Sequence, residues 1–282
     1  MSASPTLTLF FYCLAIACFS LAGGLLPSWV KMTHTRTQLV MSLVSGLMLG
    51  VAFYHLLPHS IVLYGSGGGV DSAVWWLMVG LITMFLLLRM FHFHQHDFSR
   101  DEEIHHDHSH PHQHKPAAHQ LSWLGIALGL ALHTLIDGVA LGAVMLGEGG
   151  DHTAVSMAGF GVFLAILLHK PLDAMSITTI MEAGGWDRPA RATTNLVFAL
   201  MCPLGALLFY FGVDLFSVSR DAIVAGALAF SAGAFICIAL SDLLPEVHFH
   251  SHDRGKLTLA FLLGIVIAYA IGAVEPASMH HG

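Results

Sequence analysis

The sequence is short of charge. Of 282 residues only 10% are Asp, Glu, Lys or Arg, against about 25% in a soluble domain. A chain this poor in charge cannot cover a water-facing surface, so a soluble globular protein is excluded. Cations are scarcest, with 11 Lys+Arg against 18 Asp+Glu, which leaves no basic face for a nucleic acid. The four cysteines (Cys13, Cys18, Cys202 and Cys237) lie in apolar runs, without the close pairing of a thiolate metal site or a disulfide framework. They read as small core residues. No Lys or Arg precedes the first apolar run, which argues against a cleaved signal peptide. What the chain has instead is 55% hydrophobic residues and a mean hydropathy of +0.71. Its solvent is a lipid bilayer.

Crossing the hydrocarbon core takes about 20 mostly apolar residues. Eight runs qualify, at 7–29, 39–63, 72–91, 121–146, 154–182, 192–213, 222–247 and 257–274. They are long and continuous, unlike the short alternating strands of a membrane barrel, so the expected class is all-α with eight transmembrane helices. Orientation follows from the cations. Lys31, Arg36, Arg89, Arg100, Lys115, Arg188, Arg191, Arg254 and Lys256 fall at one set of span ends, and Arg220 alone at the other. That asymmetry puts both termini outside. It divides the chain into spans one to three (1–91), a cytoplasmic loop (92–120) and spans four to eight (121–282), forming one membrane domain.

The 92–120 loop is low in complexity and crowded with histidine, including His105, His106, His108, His110, His112 and His114. It shows no apolar periodicity and reads as disordered, suited to weak handling of Zn²⁺-like ions or to being a solvated linker. The second and seventh spans echo each other. Gly46 is followed by His55-Leu-Leu-Pro58-His59, and Gly233, at the same offsets, by Asp242-Leu-Leu-Pro245-Glu246. Five spans apart, the two run in opposite directions, as in the inverted repeats of secondary transporters. His55 and His59 then approach the outer face as an entrance, and Asp242 and Glu246 the inner face as an exit.

An ionisable group deep in the bilayer costs a few kcal/mol and is a functional residue by default. The fourth span carries His133-Thr134-Leu-Ile-Asp137-Gly138, and the fifth His169-Lys170-Pro171-Leu-Asp173. Each His and Asp are four apart, hence on one helical face, and consecutive antiparallel spans bring the two faces together. Two imidazoles and two carboxylates at one depth suit Zn²⁺, with Fe²⁺, Mn²⁺ or Cd²⁺ also fitting mixed N/O ligands. The bland alternative is a buried His–Asp hydrogen bond on each helix. Lys170 either neutralises the carboxylates in place of a second ion or snorkels away. The sixth span has no acid or histidine to supply a ligand.

His-X-X-X-Asp-Gly, then His-Lys-Pro-X-X-Asp, with a His-rich loop before them, resembles the ZIP (Zrt/Irt-like protein) metal transporters, and His-Leu-Leu-Pro and Asp-Leu-Leu-Pro-Glu are similar too. The resemblance covers the whole chain. It implies eight transmembrane helices with both termini outside, and it implies primary-site ligands at His133, Asp137, His169 and Asp173. It also implies a methionine ligand at Met48 from the second span. Thr134 stands where many members have Asn, and Lys170 where many have an acidic ligand of a second metal. These two departures put the second metal in doubt.

With no Walker A motif and no room for an ATPase domain, transport is passive or ion-coupled. The expected function is therefore uptake of a divalent metal, Zn²⁺ foremost, as substrate and with no organic cofactor. The setting is the cell membrane, with a homodimer left open. The rival reading is an intramembrane zinc hydrolase of lipid or peptide, but the chain offers no general acid or base beyond the ligands themselves. A metal sensor or buffer built on the histidine loop leaves the mid-membrane ligands unexplained. An enzyme is not expected.

Overall fold

The computed structural model describes residues 4–25, 34–65, 68–92, 117–148, 158–216, 219–243 and 254–274, and among these every regular element is helical. Eight helices are long and apolar enough to span a membrane. In chain order they are α1 (Pro5–Leu25), α2 (His34–Val51) continuing through a widened turn into α3 (Leu57–Tyr64), α4 (Gly69–His92), α5 (Ala117–Glu148), α6 (Phe160–Ala183), α7 (Arg188–Gly212), α8 (Arg220–Ile238) and α9 (Arg254–Val274). The all-α expectation is met. The His-rich stretch 93–116 lies outside the described residues, as do 149–157 and 244–253. The fifth span starts at Phe160, directly after Gly159, whose φ of +67° only glycine adopts readily. Between α6 and α7 the chain turns through Gly185, also left-handed, and Asp187 then caps α7 by accepting from the Ala190 amide at 3.1 Å.

Four helix pairings dominate the packing: α2 with α9, α4 with α8, α5 with α7 and α1 with α6. In lipid there is no hydrophobic drive between helices, so small residues that allow close backbone approach decide which helices pair. Three of the four crossings have a glycine on each side. A Cβ on Gly46 or Gly264 would collide with the facing backbone of α9 or α2; Gly80 and Gly233 do the same for α4 and α8, and Gly138 and Gly205 for α5 and α7. Buried serines add cross-helix hydrogen bonds. Ser42 Oγ donates to the Leu257 carbonyl at 2.6 Å, Ser45 Oγ to Ala239 at 2.9 Å and Ser60 Oγ to Ala225 at 2.7 Å.

The second and seventh spans each contain one π-helical turn, Ala52–Leu56 and Ala239–Leu243. Both occupy the same register within the repeated Gly…Leu-Leu-Pro motif, each beginning six residues before its proline. Pro58 has no N–H to donate, and its ring crowds the carbonyl four residues back. The helix relieves this by widening, so that the Leu57 amide reaches Ala52 O.

Candidate metal centre

α5 and α6 are adjacent, and each presents its His–Asp pair to the other. His133 Nε2 lies 3.4 Å from Asp137 Oδ2 and 3.3 Å from Asp173 Oδ2. His169 Nε2 lies 3.2 Å from Asp137 Oδ2 and 3.8 Å from Asp173 Oδ2. One ligand atom from each of the four residues falls within 4.8 Å of all the others. Metal–ligand bonds of about 2.0–2.2 Å in a tetrahedron require ligand–ligand edges of about 3.3–3.6 Å. Of the six edges, the four between a histidine and an aspartate run from 3.2 to 3.8 Å, and all six fall within 4.8 Å. The four side chains thus come together between α5 and α6.

Lys170 does not snorkel. It is fully buried, and its ammonium lies 2.5 Å from Asp137 Oδ2 and 3.0 Å from Asp173 Oδ2. Its third partner is Thr134 Oγ1, which accepts at 3.1 Å. An ammonium has three donors, and here each has an acceptor. Below it lies the Phe198 ring, its centroid 5.7 Å from Nζ, a cation–π contact. Phe198 belongs to the sixth span, where the sequence placed no functional residue; an aromatic in an apolar run carries no mark that separates it from a lipid-facing one.

The ligand geometry is held from behind. His169 Nδ1–H donates to the Ala165 carbonyl at 2.8 Å, so in the neutral ring the lone pair is at Nε2, turned to the carboxylates. Two lone-pair atoms 3.2 Å apart, His169 Nε2 and Asp137 Oδ2, call for a cation or proton beside them. Asp137 Oδ1 and His133 Nδ1 are buried without a hydrogen-bond partner. Gly138, next to Asp137, packs on the Cys202 carbonyl of α7, and Gly23 of α1 on the backbone of Pro171. Asn195, also missed in the sequence, donates from Nδ2 to the Leu21 carbonyl at 3.1 Å and ties α7 to α1.

Apolar layers flank the centre on both sides. Towards the C-terminal end of α5 lie Leu141, Val144, Met145, Val162 and Ile166, each at most 1% exposed. Towards the C-terminal end of α6 lie Ile177, Met181 and Phe198, with Leu130 packed against them. Asp173, with its side chain 12% exposed, is the most open of the four ligands.

Met48 is fully buried in the apolar core. His55 is buried, and its Nε2 donates to the Ala268 carbonyl of α9 at 2.8 Å; His59 Nδ1 donates to the His55 carbonyl at 2.7 Å. The His55 ring packs against Gly161 and Gly272. Asp242 sits in the second π turn. Glu246 and the loop histidines His105, His106, His108, His110, His112 and His114 lie outside the described residues.

A family model for the ZIP zinc transporters matches residues 6–272, nearly the whole chain. No curated protein sequence matches it closely enough to count as a relative.

Proposed function

Because this chain belongs to the ZIP zinc transporter family, we propose that it carries a divalent transition metal, Zn²⁺ foremost, into the cytoplasm through the His133–Asp137–His169–Asp173 centre. Membership implies divalent metal transport across a membrane. The choice of ion, the direction and the site are our reading. The observation that carries it is the convergence of four ligand atoms from α5 and α6 within 4.8 Å of one another. Mixed imidazole and carboxylate ligands favour Zn²⁺ while accepting Fe²⁺, Mn²⁺ and Cd²⁺.

Lys170 and Thr134 hold the place of a second ion, so the centre takes one metal at a time. The ion approaches past the outer ends of the second and fifth spans, near His55 and His59. It leaves past Asp242 and Glu246 towards the histidine-rich loop. The π turns in matching register support an inverted repeat relating the second and seventh spans. The cation-rich loops mark the cytoplasmic side. An inside-negative potential of 100 mV favours inward movement of a divalent ion by about 4.6 kcal/mol.

The test is Zn²⁺ flux into proteoliposomes, wild type against Asp137→Ala plus Asp173→Ala. Flux that disappears in the double variant is the expected result. Unchanged flux removes the centre from the pathway, and tight binding of Zn²⁺ by the wild type with no flux refutes transport.

A further inference from the structure

We infer that Cys13 and Cys202 form a dithiol site on the seam between α1 and α7, and that it takes one thiol-seeking, two-coordinate divalent ion, Hg²⁺. The site is separate from the His/Asp centre and does not rest on the transport reading.

The helix register places the two thiols together. Asn195 Nδ2 donates to the Leu21 carbonyl at 3.1 Å. Fifteen residues back on α1 and fifteen on along α7, Thr6 Oγ1 lies 3.5 Å from Tyr210 Oη. The two helices therefore run antiparallel without slipping. Counting seven residues from the first contact on each helix reaches Leu14 and Cys202, so Cys13 is one residue, about 1.5 Å of helix rise, from the level of Cys202. The faces agree as well. Thr6, Cys13 and Gly24 are seven and eleven residues apart, two and three turns, hence within about 20° of one line on α1. A Cβ on Gly24 would strike the Asn195 amide, and Cys202, two turns beyond Asn195, shares its line on α7. Both cysteines are buried in the same apolar core, whereas Leu14 is 50% exposed. Both are free thiols.

Coordination chemistry then selects the ion. Soft sulfur ligands hold soft ions. Zn²⁺ wants four ligands, whereas two facing thiols supply two, the number a linear mercuric ion takes. Binding is a proton exchange without redox: both S–H bonds break, two S–Hg bonds form, and two protons leave. The product is neutral, and a neutral complex avoids the cost of an unpaired charge among apolar neighbours. A monovalent ion such as Cu⁺ would leave one negative charge there. The neighbours along the seam are Leu9, Ile16, Ala199 and Ala206, all buried. Side chains tilt towards the start of their own helix, so on antiparallel helices the two thiols lean apart along the seam. That suits a bridge through an ion, whose sulfurs stand about 4.6 Å apart if each bond matches the zinc–thiolate length of about 2.3 Å. The Cys202 carbonyl packs on Gly138, next to Asp137, so the dithiol backs onto the wall of the centre without sharing its ligands.

The full chain carrying Cys18→Ser and Cys237→Ser keeps only this pair of thiols. Reduced, freed of reductant and given one equivalent of HgCl₂ in detergent, it should hold one mercury per chain by native mass spectrometry, with a mass gain of one Hg less two protons. That ion should survive a large excess of glutathione, because two thiols fixed side by side hold it together. Cys13→Ser or Cys202→Ser in this background should weaken retention by about 100-fold or more. Cys13→Ala and Cys202→Ala repeat the comparison should a buried hydroxyl keep a serine variant from assembling. A parent that loses its mercury to glutathione as readily as the single variants, or a single variant that retains it as well as the parent, overturns the inference.

Discussion

Removing the Asp137 carboxylate tests the electrostatics of the centre without any metal. In Asp137→Ala, Lys170 loses its 2.5 Å ion-pair partner and keeps Asp173 Oδ2 and Thr134 Oγ1. Both partners are fully buried, so water cannot take the place of the lost acceptor. Stranding one partner of a buried ion pair costs about 3–5 kcal/mol. For a chain of this size each kcal/mol moves the unfolding midpoint by about 2–4 °C, so the midpoint should fall by about 6–20 °C in detergent with metal chelated. Lys170→Met, which strands two carboxylates, should fall comparably. The double variant should be no worse than the poorer single, because the stranded ammonium is then gone. Single shifts under about 2 °C, or shifts that add in the double variant, would mean that Lys170 and Asp137 are not coupled, and the account of the centre would fail.

Gly138→Ala should lower Zn²⁺ affinity by about tenfold or more, because the new methyl meets the Cys202 carbonyl and pushes the Asp137 turn off α7. Gly212→Ala, whose Cβ meets nothing within 4 Å, is the silent control in the same binding titration. His133→Ala should abolish Zn²⁺ flux, and deleting 94–114 should change only its rate or regulation; the reverse pattern in a flux assay would move the site into the loop.

The span count was legible because a bilayer admits few solutions: long apolar runs must be helices, and eight runs made eight helices. The His–Asp pairs were legible for a similar reason, since a four-residue spacing fixes a shared face whatever the surroundings. The direction of Lys170 was not, because a lysine in an apolar run can turn to lipid headgroups or to a carboxylate, and only the partner helix decides. Helix pairing was half-written: Gly46 and Gly50, like Gly138 and Gly142, are four apart, the spacing of close-packed membrane helices. Pro58 likewise announced a disturbed turn. Phe198 and Asn195 carried no such mark, being single residues whose role comes from what α1 and α6 set against them.

The two apolar layers also bear on the kind of transport. A pore needs a continuous wet path, yet the centre has fully buried aliphatic side chains on one side, and Ile177, Met181 and Phe198 on the other. The same dryness strengthens every charge contact within the centre and makes an uncompensated carboxylate expensive to hold there. A divalent ion reaches or leaves such a centre only when one layer parts, and two layers open together would leave its charges facing water. On the proposed transport reading, such a centre calls for alternating access. Buried carboxylates are held at least cost beside a cation, and Lys170 is the cation that this chain keeps there.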